Sequence, residues 1–95
     1  MKLTINEIKH LVQIAFGIED LSVRTRLKEY VYARVLFAEE CIKIQTTTVR
    51  IAKELGIGHC NVWHYLNNYK HYPFLVNEYK PKYEQLKQEY EKSRI

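Results

Sequence analysis

The sequence predicts an all-α protein, a compact bundle of five to six helices. Apolar residues recur at three- and four-residue steps along most of the chain instead of alternating, which is the spacing of amphipathic helices. The chain has 95 residues, of which 46% are apolar, and this suits one modest hydrophobic core. Because it contains no internal repeat, low-complexity tract or Pro- and Gly-rich linker, residues 1–95 are expected to form a single domain.

Charge and composition narrow the range of partners. The net charge is +4 at pH 7 and the isoelectric point is about 9.1, a basic balance that favours nucleic acid. No apolar run approaches the roughly 20 residues that cross a bilayer, and the charged N-terminus is unlike a signal peptide. The two cysteines, Cys41 and Cys60, lack the pairing pattern of small secreted scaffolds. We therefore expect a cytoplasmic protein with reduced thiols and no membrane partner.

Apolar spacing predicts the first two helices. Thr4 suits the N-cap of the first helix, and Gly17 suits its C-terminal end. Its inward residues are Ile5, Ile8, Leu11, Val12, Ala15 and Phe16. Residues 17–23, GIEDLSV, are expected to form a loop. A long second helix should run from about Thr25 to Ile42, where the stretch KIQTTT breaks it. The inward residues of the second helix are Leu27, Tyr30, Val31, Val35, Ala38 and either Cys41 or Ile42.

Three more helices are expected in the second half of the chain. A short one covers about Val49 to Leu55, and the next covers about His59 to Tyr69. A C-terminal amphipathic helix covers about 73–92, with Pro73 in its first turn. Pro81 should kink or restart that helix. The inward stripe of the last helix has 4-3-4 spacing and consists of Tyr79, Tyr83, Leu86 and Tyr90.

Residues of about 48–68 have the pattern of a helix-turn-helix. Ala52 is small where two helices meet, Gly56 tolerates positive φ in the turn, and Val62 contacts the first helix from the second. Their spacing, four and then six residues, is typical of the motif with a three-residue turn. The apolar seam is completed by Ile51, Leu55, Ile57, Tyr65 and Leu66.

The opposite face of the second helix carries the candidate base-contacting residues. A helix advances about 100° per residue, which assigns the residues opposite Val62 and Leu66 to this face. The face contains no acidic residue that would repel the phosphates of DNA. Asn can pair bidentately with adenine, and His can donate to guanine or to phosphate. Our first candidates are His59, Asn61 and His64, and Cys60 and Asn67 come second.

Basic residues around the motif are the candidates for the DNA backbone. Arg50 and Lys53 lie on its first helix and Lys70 follows its second. A basic cluster before the long helix consists of Arg24, Arg26 and Lys28.

Four segments in order resemble one known family. They are INEIKHLVQIAFGIEDL, RTRLKEYVYAR with its Ala33-Arg34 step, HCNVWH with His59, Val62 and His64, and YPFLVNEYKPKYEQLKQEY. Together they resemble the C-terminal DNA-binding domain of the bacterial replication initiator DnaA, which has a Trp-repressor-like helical fold.

The resemblance implies a function and a division of roles. Lys28, with Arg24 and Arg26, would form a basic loop at the minor groove, while His59, Cys60 and Asn61 would contact bases in the major groove. The chain has no Gly-rich phosphate loop of the Walker type. The resemblance therefore implies a free-standing module in a bacterial or phage-infected cell, active in transcription or replication control.

The alternative is a protein-interaction or adaptor module that uses the same helices as scaffold. The tyrosine stripe of the last helix would then pair two chains. Otherwise Trp63 packs against that helix and the tyrosines complete the core. We expect no catalytic residues and no small-molecule substrate, because the sequence shows no Ser/His/Asp or paired-carboxylate arrangement typical of an active site. No cofactor or metal is expected either, since His59, Cys60 and His64 lack a fourth ligand for zinc.

Overall fold

Helices account for all the regular secondary structure in the part of the chain that the computed structural model describes, residues 3–23, 27–68 and 75–93. The α-helices are α1 (Ile5–Phe16), α2 (Lys28–Lys43), α3 (Thr48–Leu55), α4 (His59–Asn68) and α5 (Lys80–Ser93). A π-helical turn, Leu75–Tyr79, directly precedes α5. The predicted all-α fold class is confirmed. None of the helices in these ranges has the length and apolar character to cross a membrane.

Local capping chemistry sets both ends of α1. The Glu7 N–H donates to the Thr4 hydroxyl at 3.2 Å, and the Thr4 N–H donates to the Glu7 carboxylate at 2.8 Å. This reciprocal pair is a capping box. At the other end Gly17 has a φ of 67° and its N–H donates to the last turn of the helix. The predicted ends of α1 are therefore confirmed.

Helix α2 is the centre of the bundle and packs against α1, α3 and α4. Every residue from Tyr32 to Ala38 is buried, so the helix is enclosed on all sides instead of along one stripe. The buried apolar core comprises Leu3, Ile8, Leu11, Val12, Ala15, Phe16, Leu21, Tyr32, Ala33, Val35, Leu36, Phe37, Ala38, Cys41, Ile51, Ala52, Leu55, Val62 and Tyr83.

The prediction for α2 needs one correction, at the start of the helix. The helix begins at Lys28, and Leu27 is its N-cap with 60% of its surface exposed, so the expectation that Leu27 faces inward was wrong. The apolar spacing includes Leu27, but the helix begins one residue later, so the spacing extends beyond the helix itself. Of the two alternatives at the other end, Cys41 is buried and Ile42 is 41% exposed. The predicted start at Thr25 lies outside the described residues.

The break between α2 and α3 occurs within the threonine-rich stretch, as predicted. Gln45 has a φ of 64°, and the Thr47 hydroxyl accepts the Arg50 N–H at 3.2 Å as the N-cap of α3. Thr47 therefore caps the next helix instead of extending α2.

The C-terminal helix packs its tyrosine stripe against the rest of the bundle. Tyr83 is fully buried, and Tyr79 stacks on Phe16 with ring centroids 4.2 Å apart. The Tyr90 hydroxyl donates to Glu7 on α1. The stripe therefore completes the core, which is one of the two roles considered for it.

Proline chemistry accounts for the change of helix type before α5. Pro81 has no N–H to donate to the carbonyl four residues earlier. The π-helical turn ends at Tyr79 and α5 begins at Lys80, so Pro81 lies in its first turn. The helix type therefore changes next to Pro81, where a kink or restart was predicted, but the helical run continues without a gap. Pro73 lies outside the described residues.

Candidate nucleic-acid interface

Helices α3 and α4 are joined by a three-residue turn, Gly56 to Gly58. Gly56 has a φ of 65°, and its N–H donates to the Lys53 carbonyl at 3.3 Å. The next N–H, of Ile57, donates to the Ala52 carbonyl at 3.1 Å. This is the hydrogen-bond pattern of a glycine C-cap. It turns the chain so that α4 starts immediately after α3 ends.

Replacing Gly56 with alanine should lower the free energy of unfolding by about 1 to 2 kcal/mol, because a side chain disfavours positive φ. Steric crowding does not contribute, since a Cβ at Gly56 would meet only the Ser22 Cβ at 3.9 Å. Gly58→Ala is the matched control. The φ of Gly58 is outside the positive range, and a Cβ there would lie 3.8 Å from its nearest neighbour. The change should therefore cost only the N-cap preference for glycine over alanine, about 0.5 kcal/mol. Urea denaturation compares the two, and equal losses would contradict the assignment of strain to Gly56.

The predicted apolar seam holds the two helices together. Ile51, Leu55 and Val62 are fully buried, and Ala52 is 5% exposed. The partly buried members packed against them are Ile57, Tyr65 and Leu66. The seam fixes α4 against α3 and α2, so its opposite face points outward.

The outward face of α4 carries all five candidate base-contacting residues. His59, Cys60, Asn61, His64 and Asn67 are exposed. Helix α4 contains no acidic residue along its length. The surface therefore offers amide, imidazole and thiol groups without a carboxylate that would repel phosphate.

The candidates differ in how freely their side chains can contact a partner. The His59 Nε2 atom lies 2.6 Å from the Thr48 hydroxyl on α3. The Nε2 atom of His59 is therefore hydrogen-bonded to Thr48, so Nδ1 is the ring nitrogen that could contact a partner. Asn61 lies at the start of α4, where its side-chain nitrogen is 3.8 Å from the position of a Cβ on Gly58. The Asn61 side chain is exposed, so its amide is accessible to a partner.

The basic candidates are only partly within the described residues. Lys28, the first residue of α2, is exposed, as are Arg50 and Lys53 on α3. Arg50 forms an ion pair with Glu54, with Nε 3.6 Å from Oε1. Arg24, Arg26 and Lys70 lie outside the described residues.

A buried arginine anchors the loop that leads to the basic cluster. The Arg34 side chain is 5% exposed, its Nε donates to the Leu21 carbonyl at 2.9 Å, and its Nη2 donates to the Val23 carbonyl. The Leu21 N–H donates to the Gln13 side chain at 3.1 Å. These bonds hold the loop from two sides, and the sequence pattern did not reveal this role of Arg34.

The same loop lies beside the turn between α3 and α4. Ser22 is the neighbour that a side chain at Gly56 would meet. Its N–H and hydroxyl both donate to Asp20, at 2.9 and 2.8 Å. These hydrogen bonds, the backbone one first, lower the pKa of Asp20, and Lys9 adds to the effect. The loop before the basic cluster and the turn between α3 and α4 are therefore neighbours.

Trp63 lies beside this face and remains 52% exposed. Together with Ile42 and Leu66 it lines a groove of about 470 Å³ between α2 and α4, and Asn67 lies at the same groove. Trp63 therefore does not complete the core, unlike the tyrosine stripe.

The two cysteines have opposite environments. Cys41 is buried, and burial raises the pKa of its thiol to about 12, whereas Cys60 is exposed on α4. Within residues 3–23, 27–68 and 75–93, no three His, Cys, Asp or Glu side chains converge to hold a metal ion. Comparison with known proteins returned no matching family model, curated protein or solved structure.

Proposed function

We propose that the chain is a sequence-specific double-stranded DNA-binding protein. In this proposal α3, the turn and α4 act as a helix-turn-helix, with α4 in the major groove and the loop before α2 near the minor groove. Control of transcription or replication is the role that accompanies such binding, as in the DnaA-type domain that the sequence resembles.

The observation that carries the proposal is the outward face of α4. It is exposed, free of acidic residues along α4, and equipped with Asn61 and His64. Asparagine amides pair with adenine edges, and imidazoles donate to guanine or phosphate. A helix with this composition suits the negative potential of a DNA groove better than an apolar or acidic partner.

A second support is the position of the basic residues around that helix. Lys53 and Arg50 are exposed on α3, and the Arg34-anchored loop, which lies beside the turn, precedes Lys28 in the sequence. In the proposal Lys28 and Lys53 contact phosphates directly. Arg50 does so by exchanging its surface ion pair with Glu54, a pair of small net value.

We expect a labelled random-pool duplex to bind the protein with an affinity that falls steeply as salt rises. With about five phosphate contacts, the slope of log affinity against log salt should be about −4 to −6. Fluorescence anisotropy across a salt series measures the slope, and selection from the pool identifies the preferred sequence. The double variant Lys28→Gln, Lys53→Gln should reduce the magnitude of the slope by about 2, because each lysine releases about one counterion.

A matched control uses two lysines of α5, away from α4. Lys82 and Lys92 are exposed, and the variant with both changed to Gln has the same net charge as the test variant. Equal slopes for the two double variants would show that total charge alone drives binding. Absence of binding at low salt would reject the proposal.

The groove beside Trp63 favours a second candidate function, a protein-interaction module. Trp63 and Ile42 are half-exposed apolar side chains in a groove large enough for a partner's side chain. The anisotropy experiment separates the two functions. Without DNA binding, α3 and α4 are scaffold, and Trp63 fluorescence becomes the probe for a protein partner.

A further inference from the structure

A second cavity lies on another part of the bundle. It has a volume of about 190 Å³, and its wall residues come from the N-terminal segment, α1, the end of α2 and α5. Leu3, Ile8 and Ile44 form its apolar surface, while Glu40 and Tyr83 supply buried polar groups. Lys43, Lys87 and Glu91 also line it, so the charges around the cavity balance.

The Tyr83 hydroxyl has an unmet hydrogen-bonding requirement. Tyr83 is fully buried, and within the described part of the chain its hydroxyl has no hydrogen-bond partner. Burial first, and then the charge of Glu40, raise the pKa of the phenol far above its usual range. The hydroxyl therefore stays protonated and available as a donor. A buried hydroxyl without a partner is costly, so the contents of the cavity are expected to supply an acceptor.

Glu40 has the complementary requirement. Its side chain is 3% exposed, and its Oε1 lies 3.4 Å from Nζ of Lys43, a lysine that is half exposed. A carboxylate accepts several hydrogen bonds, and one long ion pair leaves most of that capacity unused. The cavity therefore presents an acceptor in need of donors beside a donor in need of an acceptor.

We propose that this cavity binds a small neutral molecule with a primary carboxamide, or with the same N–H beside C=O of a cyclic amide. The amide N–H donates to Glu40 and the amide carbonyl accepts from Tyr83, so one neutral group satisfies both residues. The alkyl part of the molecule packs against Leu3, Ile8 and Ile44. Cavities of about 150 Å³ hold a benzene, so a molecule of about six non-hydrogen atoms fits.

Butyramide is the test ligand, and butyrate is its isosteric control. Butyrate has acceptors in place of the N–H donors, and its charge is repelled by Glu40. At tenfold excess over its dissociation constant, butyramide should raise the melting temperature of the full chain by roughly 6 °C or more. It should also shift the methyl resonances of Ile8 and Ile44. Butyrate and n-butylammonium should do neither, and equal or stronger binding of either would overturn the assigned ligand chemistry.

Two variants test the assigned contacts. Tyr83→Phe keeps the ring and removes the unpartnered hydroxyl, so the free protein should melt at the same temperature or higher. Its affinity for butyramide should fall about five- to tenfold. Glu40→Gln should weaken binding by a similar factor, whereas Glu89→Gln on the exposed face of α5 should leave it unchanged. If butyramide causes no shift and Tyr83→Phe lowers the melting temperature, ordered water occupies the cavity and the proposal fails. DNA binding is not part of any of these readouts, so this site and the proposed function can fail independently.

Discussion

Replacing Arg34 with methionine is expected to lower the free energy of unfolding by about 2 to 3 kcal/mol. The Arg34 guanidinium is buried and donates to the carbonyls of Leu21 and Val23. Methionine fills much of the same space but donates nothing, so both carbonyls lose a donor where water replaces it poorly. Urea denaturation followed by circular dichroism measures the loss. The melting temperature of a domain of this size should fall by roughly 10 to 20 °C.

Arg50→Met is the matched control for this substitution. The Arg50 side chain is 54% exposed and its ion pair with Glu54 is on the surface, so the change should cost less than about 1 kcal/mol. Arg34→Lys should lie between the two, because an ammonium keeps the charge but lacks the planar fork that serves two carbonyls. If Arg34→Met were as stable as the parent, the loop would be held by Gln13 and Asp20 without the arginine.

Helix ends were predictable from the sequence where capping is local. Thr4, Gly17 and Gly56 each end or begin a helix through hydrogen bonds within about four residues, so neighbouring sequence contains the necessary information. The start of α2 was not predictable in this way. Leu27 continues the apolar spacing, yet it lies before the helix with its side chain exposed, and its cap has no side-chain hydrogen bond.

The candidate site shows the same division between local and long-range chemistry. The exposure of Asn61 and His64 followed from helical spacing relative to Val62, and the structure has both exposed. The link from Thr48 to His59 joins residues 11 positions apart, and Arg34 joins carbonyls 13 and 11 positions earlier. The helical periodicity of the sequence does not predict hydrogen bonds between residues this far apart on different elements. They become visible only when the helices are packed.

Changing Asn61 to alanine is expected to reduce affinity for the preferred DNA sequence by about 1 to 3 kcal/mol, roughly 5- to 150-fold. A bidentate amide–base pair contributes discrimination of this size, and Asn61 is exposed at the first turn of α4. Because the amide does not contact phosphate in the proposed arrangement, affinity for random duplex and the salt slope should stay unchanged. Anisotropy titrations with the selected site and a scrambled duplex measure the ratio directly.

The same substitution elsewhere separates base contact from a general effect of losing an amide. Asn77→Ala changes an exposed asparagine in the turn before α5, outside the proposed interface, and should leave both affinities unchanged.

His59→Ala is a second comparison, because the His59 Nε2 atom is hydrogen-bonded to Thr48. If Asn61 contacts a base and His59 mainly braces α4 against α3, His59→Ala should lower stability along with affinity. Asn61→Ala should lower affinity alone. A loss of random-duplex affinity equal to the loss at the selected site would instead assign Asn61 to the DNA backbone, and the base-contacting role would pass to His64 and Cys60.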